Sequence, residues 1–310
     1  TLSLHDVFRS LVPLDGSALA EAALPAAIAT ATAFGARLTL FHVLEEWAPE
    51  TVHGQQHLTD AAQAEAYLVS VAQRPALRGH AVEVHVHCGR TENVADSIMA
   101  HADELAADLV VLSTHGQGGL KGFFLGSFAL RALGRGRTPI LMVNPTATGT
   151  PLPFVCRRIL VPLDGSATHE TALPVAERLA RGWSAALHLV MVVPTARTLS
   201  GHKGAAGVLM PLATRAMLEI AEQDAAVYVG DLGRTLTAAG LVVTSSVGRG
   251  DPLTALLQTA RTAEADLVVM ATHARRAMEG FWAGSLTPKL MQRLDRPMLL
   301  VRAEGHDEAR

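Results

Sequence analysis

Cysteine, aromatic residues and charged residues are all scarce in this sequence of 310 residues. Its two cysteines, Cys88 and Cys156, are too few for a disulfide scaffold and fit a reducing compartment. Aromatic residues make up 4% of the chain, so a core has to be built from Ala, Leu and Val. Charged residues make up 18%, below the ~25% of an average soluble domain, and the net charge is −3. Without a basic surface, no nucleic-acid partner is expected.

Long apolar segments and a signal-peptide pattern are also missing. The longest apolar stretch, residues 22–35, contains Pro25 and several threonines and is shorter than the ~20 residues needed to cross a bilayer. With 49% hydrophobic residues, the chain can still bury a large core, which excludes intrinsic disorder. We therefore expect a cytoplasmic protein with no membrane partner.

The dominant pattern in the chain is an internal repeat. The hexapeptide VPLDGS occurs at residues 12–17 and again, unchanged, at 161–166. Four shorter matches are ALP at 23–25 and 172–174, ADLVV at 107–111 and 265–269, TH at 114–115 and 272–273, and GS at 126–127 and 284–285. Each copy has the size of a domain, so the chain is a tandem duplication. The sequence predicts domains at 1–146 and 155–304.

Within each repeat, apolar strands alternate with helices. In the first repeat, strands are predicted at 7–14, 38–44, 82–88, 109–113 and 140–143, and helices at 17–35, 59–79, 91–107 and 127–134. In the second repeat, strands are predicted at 159–163, 187–193, 241–247, 267–270 and 298–301. This alternation predicts an α/β fold with a doubly wound parallel sheet and helices on both faces.

Ligands of such a sheet bind beyond the carboxyl ends of the strands. Two loops of the first repeat lie there: Asp15-Gly16-Ser17 after the first strand, and residues 113–119 after the fourth. The second loop continues to Gly126-Ser127, where a helix is predicted to begin. Glycines let backbone N–H groups approach an anion, and a helix N-terminus adds unpaired N–H groups. These loops predict a phosphate site.

At these residues the chain resembles a tandem universal stress protein over nearly its whole length. The family's nucleotide motif is Gly-x2-Gly-x9-Gly-Ser/Thr, which Ser113, Gly116, Gly126 and Ser127 match with Ser in place of the first Gly. The resemblance implies two five-stranded parallel sheets of the adenine nucleotide alpha hydrolase type, with strand order 3-2-1-4-5. It also implies an intramolecular pseudo-dimer, with a further homodimer left open.

The same resemblance implies that the first domain binds ATP, or AMP or ADP, often with a divalent metal such as Mg²⁺. Asp15 and the backbone at Val43 would lie near adenine and ribose, and the motif residues would surround the phosphates. The predicted nucleotide-binding residues are Pro13, Asp15, Val43, Ser113, Thr114, His115, Gly116, Gly126 and Ser127.

The second repeat departs further from the nucleotide motif. Ala271 and Ala274 replace the first two glycines, and their Cβ atoms block close approach to an anion. A weaker second site is left at Asp164, Val192, Gly284 and Ser285. Arg275 and Arg276 either attract phosphate or form a solvated face. We expect this domain to bind nucleotide weakly or not at all.

No catalytic residue is assigned, because no general base other than Asp15 is evident. The predicted function is that of a stress-response sensor or regulator, with slow hydrolysis or none. One alternative is a nucleotide-free interaction module, favoured by the degenerate second motif and the glycine-rich segment 195–211. The other is an ATP-dependent transferase, for which no acceptor cluster is visible.

Two further patterns give expectations. His85 and His87 share a face of a predicted strand beside Cys88 and could form a zinc site, but no second ligand pair supports it, so ordinary strand side chains are favoured. The last strands of the repeats, 140–143 and 298–301, would each leave a bare sheet edge. Pairing the two strands with each other would cover both edges.

Overall fold

The computed structural model describes residues 7–46, 51–52, 55–56, 58–91, 93–113, 125–145, 153–199, 209–273 and 286–303. Contacts divide the chain into two compact units. The first comprises residues 1–155, 273–279 and 297–302, and the second comprises 156–272, 280–296 and 303–310.

The first unit alternates strands and helices as predicted. Its strands are β1 (Arg9–Pro13), β2 (Arg37–Glu45), β3 (Thr51–Val52), β4 (Gln55–Gln56), β5 (Val82–Thr91), β6 (Leu109–Ser113) and β7 (Ile140–Val143). Its helices are α1 (Ala18–Glu21), α2 (Leu24–Phe34), α3 (Ala61–Ala72), α4 (Val94–Glu104) and α5 (Leu125–Arg135), with a 3-10 turn at Pro75–Leu77.

The main sheet of this unit has the order β5-β2-β1-β6-β7, and all its neighbours run parallel. Counting only these five strands, the order is 3-2-1-4-5, and the predicted α/β class is confirmed. All five residues of β6 are buried, as expected for a central strand covered by helices on both faces.

The single helix predicted for residues 17–35 is wrong, because the chain forms two helices there. α1 ends at Glu21, and α2 begins at Leu24 with Pro25 in its first turn. Proline has no N–H to donate and its ring collides with the carbonyl one turn earlier, so a continuous helix cannot pass through this position. Gly35 ends α2 in the left-handed conformation, with φ of 58°.

The edge strand β7 is covered by the last strand of the described residues. β12 (Met298–Arg302) falls within the first contact unit and runs antiparallel to β7, with Leu299 opposite Leu141. Both leucines are fully buried. The predicted pairing of the two terminal strands is confirmed.

The second unit repeats the order with one large difference. Its strands are β8 (Arg158–Leu163), β9 (Ala186–Val193), β10 (Val243–Arg249) and β11 (Leu267–Thr272), and its helices are α6 (Ala172–Trp183), α7 (Pro211–Ala238), α8 (Pro252–Thr262) and α9 (Leu286–Arg293). The sheet order is β10-β9-β8-β11, all parallel. Helix α7 has 28 residues, whereas α3, its counterpart in the first repeat, has 12. Within the described ranges, no helix is both long and apolar enough to cross a bilayer.

Candidate functional site

The loop that follows β1 is a tight turn held by its own side chains. The Asp15 carboxylate accepts a hydrogen bond from the backbone N–H of Ser17 at 2.9 Å. The buried Ser17 hydroxyl accepts one from the N–H of Ala20 at 3.1 Å and so caps α1. Gly16 between them has φ of 90°, a left-handed conformation that side chains disfavour. The repeated hexapeptide therefore encodes a fixed turn that presents an aspartate at the end of β1.

Four of the predicted site residues lie at one edge of this sheet. Pro13 ends β1 and Asp15 follows it, Val43 lies near the end of β2, and Ser113 ends β6. Because β2, β1 and β6 are neighbouring parallel strands, their carboxyl ends meet at the same edge. Val43 and Ser113 are buried, with 6% and 8% of their surface exposed.

The remaining predicted residues of the first site are less fully placed. Thr114, His115 and Gly116 lie outside the described residues. Gly126 and Ser127 belong to the first turn of α5, which begins two residues earlier than the predicted start at 127. α5 therefore begins in the segment that the sequence assigned to phosphate.

Sequence reasoning missed His42, which ties this edge of the sheet together. The ring is buried on β2, with Nδ1 2.7 Å from the carbonyl oxygen of Leu14 and Nε2 3.1 Å from that of Leu58. Leu58 in turn packs over Gly16, where an added Cβ would lie 3.0 Å from the leucine Cγ. A histidine within an apolar strand, next to Val43, was the available signal. The corresponding residue of the second repeat is Met191.

In the second unit, a histidine holds the equivalent aspartate. Nδ1 of His169 lies 2.7 Å from Oδ2 of Asp164, and the Ser166 hydroxyl donates to Oδ1 at 2.7 Å. Partial burial acts to raise the pKa of Asp164, but the hydrogen bonds from Ser166 and His169 outweigh it and the pKa is lowered. The first repeat has Ala20 where the second has His169, so this contact has no counterpart around Asp15.

The other residues of the predicted second site are only partly described. Val192 lies on β9 and is half-buried, and Ala271 lies on β11 and is buried. Gly284, Ser285 and Ala274 lie outside the described residues.

His85 and His87, considered above as a zinc site, lie in a packed cluster of aromatic and imidazole rings. Both rings lie against His101 of α4, with centroid distances of 5.1 Å and 4.8 Å. Phe41 stacks on His85 and lies tilted against His101. Across the described segments, no group of three His, Cys, Asp or Glu residues is arranged to hold a metal ion. Burial and the neighbouring imidazoles of His101 and His85 lower the pKa of His87.

The same place in the second unit is a cavity. Ser246 of β10 takes the position of His85, because it lies opposite Val190 on the neighbouring strand just as His85 lies opposite Phe41. Thr259 of α8 lines the same space. With these small residues in place of the rings, a cavity of about 390 Å³ is left between β10 and α8. The two repeats therefore share a backbone but not a side-chain filling at this interface.

Comparison with known proteins identifies the family. A profile of the universal stress protein family matches residues 8–144 and again 156–302. The chain belongs to the universal stress protein family. The resemblance drawn from the sequence motifs is thereby confirmed, and so is the presence of two copies of the family's domain.

Solved structures agree with the universal stress protein fold over nearly the whole chain. The crystal structure of a universal stress protein from Archaeoglobus fulgidus is 18% identical, with a TM-score of 0.65 and 97% of each chain covered. A protein of unknown function from Pseudomonas aeruginosa is 17% identical, with a TM-score of 0.63 and coverage of 96% of this chain and 93% of its own. No curated protein matches the chain significantly.

Proposed function

We propose that this universal stress protein binds an adenine nucleotide, ATP in the first place, in its first domain and acts in the cytoplasm as a stress sensor or regulator with little or no hydrolysis. The supporting observation is that Pro13, Asp15, Val43 and Ser113 meet at the carboxyl edge of three adjacent strands. We retain 1–146 and 155–304 as the bounds of the two domains.

The chemistry of this edge suits a nucleotide. The Asp15 carboxylate, fixed by the N–H of Ser17, is an acceptor for an amino or hydroxyl group of a nucleoside. The backbone at Val43 supplies an N–H and a carbonyl that can pair with polar groups of the base. The first turn of α5 contains Gly126 and Ser127, and unpaired N–H groups at the start of a helix of 11 residues favour phosphate. Mg²⁺ would be held mainly by the phosphate oxygens of the nucleotide, as is usual for this ion.

The second domain is proposed to bind nucleotide weakly or not at all. Ser166 and His169 each contact one carboxylate oxygen of Asp164, which leaves this aspartate fewer free acceptor sites for a ligand. Met191 stands where His42 fixes the loop of the first unit. Ala271 and Ala274 replace motif glycines, as the sequence showed.

The experiment that tests this proposal counts the nucleotide carried by the purified chain. The protein is denatured, the supernatant is analysed by mass spectrometry, and ATP, ADP and AMP are titrated by calorimetry with and without Mg²⁺. We expect one nucleotide per chain, loss of it in Asp15→Asn, and retention in the matched control Asp164→Asn. Two nucleotides per chain would contradict the proposed asymmetry. No nucleotide and no binding would favour the nucleotide-free interaction module.

A further inference from the structure

Helix α7 carries a row of large apolar side chains that face solvent. Among the described residues, six of the ten exposed large apolar side chains fall between 209 and 227. Met210, Met217, Ile220 and Val227 are exposed by 65%, 50%, 56% and 62%. Leu209 and Leu212, exposed by 81% and 84%, flank the row. An exposed apolar area concentrated on one element indicates an interaction surface.

The exposed row is not the face by which α7 packs on its own domain. At about 100° per residue, Met210, Ala213, Met217, Ile220 and Val227 lie on one side of the helix. We call these five residues the α7 stripe. The buried residues of α7, whose centre lies about 125° around the helix from that of the stripe, are Thr214, Leu218, Ala225, Val229 and Leu236. Asp224 lies in the same sector as the stripe. The helix therefore has two apolar faces, and its own domain uses one of them.

Most of the α7 stripe lies on a part of the helix that the first repeat does not have. When Tyr228 is aligned with Tyr67 of α3, the part of α7 before residue 222 has no counterpart. Packing of the repeated domain therefore does not require this extension. Its apolar residues call for another explanation.

We propose that a second copy of this chain docks on the α7 stripe, with the two α7 helices antiparallel. A two-fold axis passing between residues 218 and 219 places Met217 of one copy opposite Ile220 of the other. The same axis places Met210 opposite Val227. An isologous interface must be complementary to itself in this way. The small side chain of Ala213 allows the helices to approach closely.

Charge agrees with this arrangement. In the same register, Asp224 lies opposite Ala213, in the first turn of the partner helix. The N-terminus of α7 has no acidic residue in its first turn, and its N-cap, Met210, makes no side-chain cap. A carboxylate is favourable near such an end. Other charges of α7 are paired within the chain, Arg215 with Glu219 at 2.9 Å and Glu222 with Arg249 at 3.0 Å.

The apolar area of the stripe can be compared with that of a standard interface. A fully exposed Leu, Ile, Met or Val side chain presents roughly 60–120 Å² of apolar surface, as implied by its transfer free energy per unit area. The four large side chains of the stripe, 50–65% exposed, then supply on the order of 140–280 Å². A standard interface buries about 800 Å² per partner, somewhat more than half of it apolar. The stripe thus provides roughly a third to a half of that apolar area, so the expected dimer is a weak one.

Sedimentation velocity of the full chain tests the proposal, from about 1 to 200 µM because association depends on concentration. We expect a dimer whose Kd rises at least about tenfold in Ile220→Lys, since this places two charges at the centre of the interface. The matched control is Val242→Lys, which changes an apolar residue that is 69% exposed outside α7 and should leave the dimer intact. A chain that stays monomeric at the highest concentration overturns the proposal. So does a dimer that Ile220→Lys leaves unchanged.

A charge exchange tests the antiparallel register itself. Asp224→Lys should weaken the dimer, because it puts a positive charge at the partner's helix N-terminus. Adding Ala213→Asp should restore association, because residues 213 and 224 of opposite copies then form an ion pair. Failure of the double variant to recover rules out this register. The inference does not depend on nucleotide binding, so the two proposals can fail separately.

Discussion

The Tyr67 hydroxyl donates a hydrogen bond to Oε1 of Glu21 across 2.9 Å. Arg74 adds two more to the same carboxylate, both at 2.7 Å. Because Glu21 ends α1 while Tyr67 lies on α3, this network fastens the region after the Asp15 turn to a helix more than forty residues away. Burial, followed by the Glu21 charge, raises the pKa of Tyr67. In the second unit, Tyr228 donates to Glu170 at 2.7 Å in the same way.

The first prediction concerns this bond. Tyr67→Phe should lower the free energy of unfolding by about 1–2 kcal/mol, because it removes a donor from a largely buried carboxylate. Tyr228→Phe is the matched control and should cost less, because Tyr228 is less buried than Tyr67. Urea unfolding followed by circular dichroism measures both. Equal losses in the two variants would show that burial does not set the strength of this contact.

The second prediction concerns His42. His42→Met installs the residue of the second repeat and leaves the carbonyl groups of Leu14 and Leu58 without the imidazole. We expect a loss of about 1–3 kcal/mol in unfolding free energy, typical of buried polar groups left unpaired. Nucleotide affinity should fall at least about tenfold, since the Asp15 turn loses its connection to β2 through the carbonyl group of Leu14.

Met191→His, the reverse change in the second unit, serves as the control for His42→Met. It should leave the nucleotide affinity of the first unit unchanged. If His42→Met destabilises the chain but binds nucleotide normally, the role of His42 is limited to folding. The calorimetric titration used for the wild-type chain distinguishes these cases.

Much of the fold follows from local sequence signals. The alternation of apolar strands with Ala-rich helices specifies the α/β class, and the repeated hexapeptide specifies a turn whose aspartate and serine hydrogen-bond within three residues. The split between α1 and α2 was also accessible, because Pro25 stands in the middle of the predicted helix. The burial of β6 followed from its uninterrupted apolar run.

Contacts between residues far apart in the sequence could not be predicted from local signals. Neither the bond from Tyr67 to Glu21 nor the bridge of His42 to Leu58 leaves a periodic trace in one sequence. Tyr67 and Tyr228 also lie at different distances along the chain from the hexapeptide of their own repeat, because α7 is longer than α3. The extension of α7 was not predicted, because no helix bounds were derived for the second repeat and the apolar stripe of the extension faces solvent.

The third prediction concerns the pair of Asp164 and His169. The hydrogen bonds that the Asp164 carboxylate accepts from Ser166 and His169 outweigh the effect of burial and lower the pKa of Asp164. This contribution to stability is present above the ordinary pKa of 3.8 and is lost as pH falls through the folded value. His169→Ala, which copies the first repeat, should move the pKa of Asp164 upward. Carboxyl-carbon NMR titration measures it, and an unchanged pKa would show that Ser166 alone sets the value.

The fourth prediction concerns the ring cluster of His85, His87 and His101. Burial, then the charges of His101 and His85, lower the pKa of His87 below its ordinary value of 6.5, while Glu104 acts in the opposite direction. The folded chain therefore binds this proton less tightly than the unfolded chain. Its contribution to stability is complete above pH 6.5 and falls as pH drops from there through the folded pKa.

The loss at acidic pH should be below about 1 kcal/mol, because the ring of His87 is partly exposed and solvent screens its charge. His101→Phe keeps an aromatic ring over Phe41 and removes a titrating neighbour, so the pKa of His87 should rise. Proton NMR titration of the imidazole signals follows each histidine directly. His188→Gln is the control variant. It removes a histidine of the second unit whose pKa is also lowered, and it should leave the pKa of His87 unchanged. If His101→Phe leaves His87 unchanged while stability still falls below pH 6.5, burial rather than the neighbouring ring sets the pKa.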